Sequence, residues 1–187
     1  MAEEPTRLIG TLQERQHRVK GTMVPIVLTT QLAIGIGCLL LPSPQLSSDY
    51  ERLRYLFGWD FIALLPYLLV MLTIMLQRLN EGAHNPLLGQ ESPQLAIHCR
   101  VMQNTLEQYL VFVPASLVLA TRLPAGYLQV LPLLAIGFCL ARLVYWKGYL
   151  NPQDCLRRSP GVQMTAAITL GMAALALALL IKDGLGF

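Results

Sequence analysis

Apolar residues run along this chain in five blocks, at about 22–41, 61–79, 98–120, 127–149 and 162–181. Each approaches the roughly 20 residues that carry a helix across a hydrocarbon layer. Turn formers separate them: LPSPQLSS, NEGAHNPLLGQESPQ, TRLPAG and NPQDCLRRSPG. Residues 41–58 read as a loop whose far end is interfacial, because Tyr50, Tyr55, Phe57 and Trp59 make an aromatic belt. His84 and His98 flank the second connection and read as solvated loop histidines. Pro25 falls in a first turn, where proline is tolerated. Pro114 is expected to kink the third span. The first block begins late, is longer than a signal-peptide core and lacks a small-x-small cleavage site, so it reads as a retained helix. The pattern predicts an all-α, polytopic membrane protein with five transmembrane helices.

Composition agrees. Of 187 residues, 54% are hydrophobic and 13% are charged, against about 25% charged in soluble domains. The net charge of +3 gathers in no basic tract, which leaves nucleic-acid binding without support. The four cysteines, Cys38, Cys99, Cys139 and Cys155, show no metal-ligand spacing. Positive charge sets the orientation. With the N-terminus inside, Arg7, Arg15, Arg18, Lys20, Arg78, Arg100, Arg142, Lys147, Arg157 and Arg158 are inner, and Arg52, Arg54, Arg122 and Lys182 are outer. The expected localisation is an integral multi-pass membrane protein with a cytoplasmic N-terminus. The bacterial inner membrane is preferred over the eukaryotic endoplasmic reticulum.

The third block differs from the others. Arg100, Asn104 and Glu107 stand at i, i+4 and i+7, one face of a helix. Such groups are costly in hydrocarbon and should face a bundle interior or a wet cavity. A polar clamp that fixes helix assembly explains the row without any ligand. Tyr145 and Tyr149, four apart, share a face with Arg142, and interfacial anchoring explains the tyrosines. Positive-inside charge accounts for most of Arg142, Lys147, Arg157 and Arg158, leaving one or two as ligands. Trp59 and Trp146 read as interface anchors. In the fifth block Gly161, Ala166, Ala167, Gly171, Ala174 and Ala178 suit close helix packing.

The spacing R-x-x-x-N-x-x-E at Arg100, Asn104 and Glu107 resembles the second-helix signature of the MAPEG family, membrane-associated proteins in eicosanoid and glutathione metabolism. ARLVYWKGY, from Ala141 to Tyr149, is similar to the end of that family's third helix. Arg157 or Arg158 stands near the arginine that opens its fourth, and Arg78 matches one that ends its first. The resemblance starts near Phe61. It implies a cytoplasmic N-terminal segment (1–21), an extra transmembrane helix and loop (22–58) and a MAPEG-like four-helix membrane domain (59–187). The mattrin-like branch, which also carries extra helices, stands nearest.

The resemblance further implies a homotrimer that binds glutathione as co-substrate between subunits. The second substrate is a lipophilic small molecule, an electrophile or hydroperoxide, entering from the membrane lipids. Arg157 is the implied holder of the thiolate, with Arg158 beside it. Arg78, Arg100, Asn104, Glu107, Tyr145, Tyr149 and Arg158 are the implied glutathione contacts. The implied activity is that of a glutathione-dependent transferase or peroxidase. The alternative is a non-catalytic relative that binds a lipid or partner protein and uses the polar cluster for trimer assembly. Two departures from the family pattern stand out. Met102 replaces a side chain that can be polar. Gln108 follows the motif glutamate where some members carry an aromatic residue, and Tyr109 comes one later, which turns its hydroxyl by about 100° on a helix.

Overall fold

The computed structural model describes residues 12–82, 91–151 and 154–185; His84 lies outside them. Five helices follow one another: α1 (Leu12–Leu40), α2 (Asp49–Glu81), α3 (Pro93–Arg122), α4 (Val130–Tyr149) and α5 (Ser159–Gly184). A 3-10 turn at Ala125–Tyr127 leads into α4, and another at Cys155–Arg158 leads into α5. No strand occurs among the described residues. The helices run up and down in alternation. Around the bundle α2 touches α3 and α4, and α5 closes the ring against both. The first helix lies outside that ring, across α4 and α5.

α2 starts twelve residues before the apolar block that predicted it. Ser48 accepts from Glu51 N–H, and the Glu51 carboxylate accepts from the backbone N–H of Ser47 and Ser48. This reciprocal cap converts the supposed interfacial loop into the first turns of the helix. At the far end Gly82 sits at φ 68°, a left-handed stop open to a residue without Cβ. α3 also starts early. Ser92 caps it by accepting from Leu95 N–H, and Pro93 occupies its first turn. His98 is therefore buried in a helix and not solvated in a loop.

Among the described residues four helices are long and apolar enough to cross a membrane: α1 from Gln16, α2, α4 with its leading turn, and α5 with its leading turn. α3 has the length, about 45 Å at 1.5 Å per residue for its 30 residues. Its polar and charged side chains keep it below the apolarity of the other four. The molecule is an integral membrane protein whose least apolar helix is also the one with the candidate chemistry.

Between helices in lipid, close packing and interhelical hydrogen bonds do the holding, because the surrounding chains are as apolar as leucine. Phe112 of α3 and Phe138 of α4 meet at 4.8 Å between ring centres. Glycine permits the closest approach. A Cβ at Gly161 would lie 2.7 Å from the Tyr145 Cβ, and one at Gly148 would lie 2.6 Å from the Arg157 carbonyl carbon. The start of α5 and the end of α4 are thus in backbone contact. α1 is fastened differently, by amide side chains. Gln163 donates to Val19 C=O and the Thr22 hydroxyl, Gln31 to Ala167 C=O, and Gln129 to Cys38 C=O.

Candidate functional site

The end of α4 that abuts Gly161 carries the most buried cation among the described residues. Arg142 is 2% exposed, too enclosed for a positive-inside loop charge. A guanidinium in such a place must be met on every side by acceptors. Its Nε donates to Thr105 Oγ1 at 3.2 Å, and Nη2 donates to Thr105 Oγ1 and Asn104 Oδ1, both at 3.0 Å. Nη1 reaches Thr165 Oγ1 at 3.5 Å. The two threonine hydroxyls can accept because each gives its proton to its own helix, Thr105 to Val101 C=O and Thr165 to Gly161 C=O, both at 2.7 Å. The flat face of the guanidinium lies 4.1 Å from the centre of the Tyr145 ring, a cation–π contact. Arg142 thus ties α3, α4 and α5 together with neutral acceptors and one aromatic face.

The row continues outward from Tyr145. Tyr149 stands edge-on to it at 5.6 Å, and the Arg158 guanidinium lies 4.5 Å above the Tyr149 ring. Asn104, Arg142, Tyr145, Tyr149 and Arg158 therefore form one continuous polar-aromatic track toward the helix ends that also carry Arg78, His98 and Trp146. Trp146 is no simple interface anchor. Its indole N–H donates to His98 Nδ1 at 3.0 Å, fastening α4 to α3.

The other expected site residues lie off this track. Arg100 and Glu107 flank Asn104 but point out of the protomer, both exposed. Glu107 accepts from Gln103 at 3.2 Å. Arg78 binds Glu91 at 2.6 Å beside Cys99, and its Nε is buried without a partner among the described residues. Arg157, exposed, lines a small pocket against α1. The shifted tyrosine is occupied elsewhere. Tyr109 donates to Asp60 C=O at 3.2 Å and stacks beside Phe112, while Gln108 meets Thr169 at 3.3 Å. A second buried polar pair lies nearby: Ser116 Oγ is within 3.1 and 3.2 Å of the two carboxyl oxygens of Asp60.

Arg142 and Asp60 are the polar groups that sequence reasoning passed over as sites. For Arg142 the signal was present in its placement three residues before Tyr145. For Asp60 it was a lone carboxyl at the edge of an apolar block, passed over because the second span was expected to begin only at Phe61.

The fold and site together define an all-helical membrane bundle held by an interhelical arginine–asparagine–tyrosine cluster. The MAPEG family profile matches residues 56–178, and the chain belongs to that family. Over 104 residues it is 30% identical to transmembrane protein 79 (mattrin) of Mus musculus and to that of Bos taurus. The alignment covers 56% of this chain and 26% of each relative, so the chain matches about a quarter of their length. Both relatives are mammalian, which lends no support to the preference for a bacterial inner membrane. No solved structure matches.

Proposed function

We propose that the protein is a glutathione-dependent transferase or peroxidase for lipophilic electrophiles or hydroperoxides, acting as a homotrimer with the ligand between subunits. One observation carries this reading. Glu107 lies 14 residues into α3, about 21 Å from its start, and its carboxylate is exposed on the protomer's side. A carboxylate bare to lipid at mid-helix is too costly to persist. A second copy of the chain packed on that face covers it together with Arg100, and creates a polar interface beside Asn104. In this arrangement α3 crosses the membrane with its polar face inside the trimer, and the N-terminus is cytoplasmic.

The chemistry follows from the side chains. Glutathione carries two carboxylates, an ammonium and a thiol. Arg100 takes a carboxylate in forked geometry, Glu107 takes the ammonium, and Tyr145 and Tyr149 supply neutral hydrogen bonds. Arg142 is spent on threonines and an asparagine, so it acts as a positioning residue for Asn104 and Tyr145. Of the two arginines near the α5 start, Arg158 shares the tyrosine track and holds the thiolate in this reading. Arg78 sits at the membrane edge of the same end. A thiolate held by a cation is the nucleophilic form.

Glutathione calorimetry on the purified protein, with its assembled mass, tests the proposal. Binding to a trimer that Arg100→Ala abolishes, with the trimer kept, is the expected result. A trimer without binding, disrupted by Glu107→Ala, favours the second reading: a non-catalytic member whose polar row serves assembly. The engagement of Tyr109 with Asp60 instead of the polar row supports that alternative.

A further inference from the structure

Two cavities lie between α1 and α5. The first, about 210 Å³, lies near the helix ends, where Arg18, Thr22, Asp154, Arg157 and Ser159 join the apolar Val19 and Leu156 in its wall. The second, about 380 Å³, runs between α1, α4 and α5 past Ile26, Ile34, Leu133 and Met164. Pro160 lines both, so the two adjoin at the start of α5. The order is the same on both helices. On α1 the polar Arg18 and Thr22 precede Ile26 and Ile34, and on α5 Ser159 precedes Met164. The slot is dry in character. Its two threonine hydroxyls are turned to their own helix, Thr29 to Pro25 C=O at 2.8 Å and Thr30 to Ile26 C=O at 2.7 Å.

The charge in the cup is net cationic. Asp154 lies 3.8 Å from Arg18, while Arg157 pairs with no carboxylate among the described residues. A cationic cup at the helix ends beside a hydrocarbon-lined slot fits one kind of molecule abundant in a bilayer. We propose that the groove between α1, α4 and α5 binds an anionic phospholipid, its phosphate at Arg18 and Arg157 and one acyl chain in the slot along Ile26, Leu133 and Met164. The lipid then fills the seam that α1 leaves against the four-helix core. This site is separate from the Arg142 track, because Arg157 and Arg158 diverge, one toward α1 and the other over Tyr149.

The test is native mass spectrometry of the delipidated full chain, titrated with phosphatidylglycerol or phosphatidylcholine of identical acyl chains. Phosphatidylglycerol is expected to be retained in preference. The joint variant Arg18→Gln, Arg157→Gln changes two exposed side chains and should fold normally. It is expected to lower phosphatidylglycerol retention on the order of tenfold and to leave phosphatidylcholine unchanged. Ala33→Phe, which fills the slot, is expected to lower retention of both lipids. Equal retention of the two lipids by the unaltered protein overturns the proposal. So does undiminished phosphatidylglycerol retention in the arginine pair, or in an Ala33→Phe protein that thermal unfolding shows to be folded.

Discussion

Gly161→Ala is the most informative single change in the bundle. The added methyl carbon would meet the Tyr145 backbone nitrogen and Cα and lie 2.7 Å from Tyr145 Cβ. Carbon atoms in ordinary contact sit about 3.5–4.0 Å apart, so α4 and α5 must part by about 1 Å at this crossing. Two of the three obstructing atoms are backbone and cannot rotate away. Overpacking of a tight interior costs about 1–3 kcal/mol, and the backbone clash puts Gly161→Ala near the upper end. The shift also moves Tyr145, whose ring carries the Arg142 guanidinium at 4.1 Å. A displacement of about 1 Å near a reacting centre can lower a rate by about a hundredfold, so on the proposed function thiol transfer would fall even in protein that stays folded. Thermal unfolding in detergent, run beside Gly35→Ala, is the assay. A Cβ at Gly35 meets nothing within 4 Å, so that variant should be neutral or slightly stabilised by helix propensity. If Gly161→Ala unfolds within about 0.5 kcal/mol of the unaltered protein, the reasoning from backbone contact is wrong.

Three further outcomes are expected. Arg142→Ala removes the hydrogen bonds joining three helices and leaves a void, at about 2–4 kcal/mol. Arg142→Met fills much of that space without a buried charge and should lose less than half as much; equal losses in thermal unfolding would refute this account of the hub. Asp60→Asn should be silent in the same assay, within about 0.5 kcal/mol. The Ser116 hydroxyl can donate its one proton to an Asp60 carboxyl oxygen at 3.1 or 3.2 Å or to Val113 C=O at 2.8 Å, and the amide oxygen of an asparagine accepts it as well. A loss above about 2 kcal/mol would mean an ionised carboxylate is needed there. Gln163→Ala should loosen the N-terminal part of α1 by about 1 kcal/mol, read as faster proteolysis before Thr22; an unchanged cleavage rate would mean Gln163 does not hold α1.

Apolar run length made the five helices legible, because it is a one-dimensional property. Where the helices begin was less so. The capping box at Ser48 and Glu51 was written in the chain, yet the aromatic residues around it argued for an interfacial loop. At Ser92 the turn formers before it argued for a loop that ran on to His98, and this put His98 outside the helix that buries it. The polar row of α3 was found, but its two sides were not told apart. Residues at i, i+4 and i+7 spread over about 60° of a helix, so Asn104 can turn inward to Arg142 while Arg100 and Glu107 face out. Small residues on α5 gave a similar half-answer. Gly161 and Ala167 are packed, whereas Ala174 and Ala178 are exposed in the protomer. Which of them matters depends on where α4 crosses, and no local pattern states that.

The fastening of α1 has a consequence for which substitutions it tolerates. At two of its three amide contacts the bundle's glutamines, Gln129 and Gln163, grip main-chain carbonyls of α1, groups that any helix offers whatever its sequence. The third contact reverses this, with Gln31 reaching a main-chain carbonyl of α5. Main-chain carbonyls stay in place when side chains change, so most substitutions along α1 leave these acceptors intact. The attachment of α1 is therefore written mainly in the glutamines of the bundle and only in part, through Thr22 and Gln31, in α1 itself.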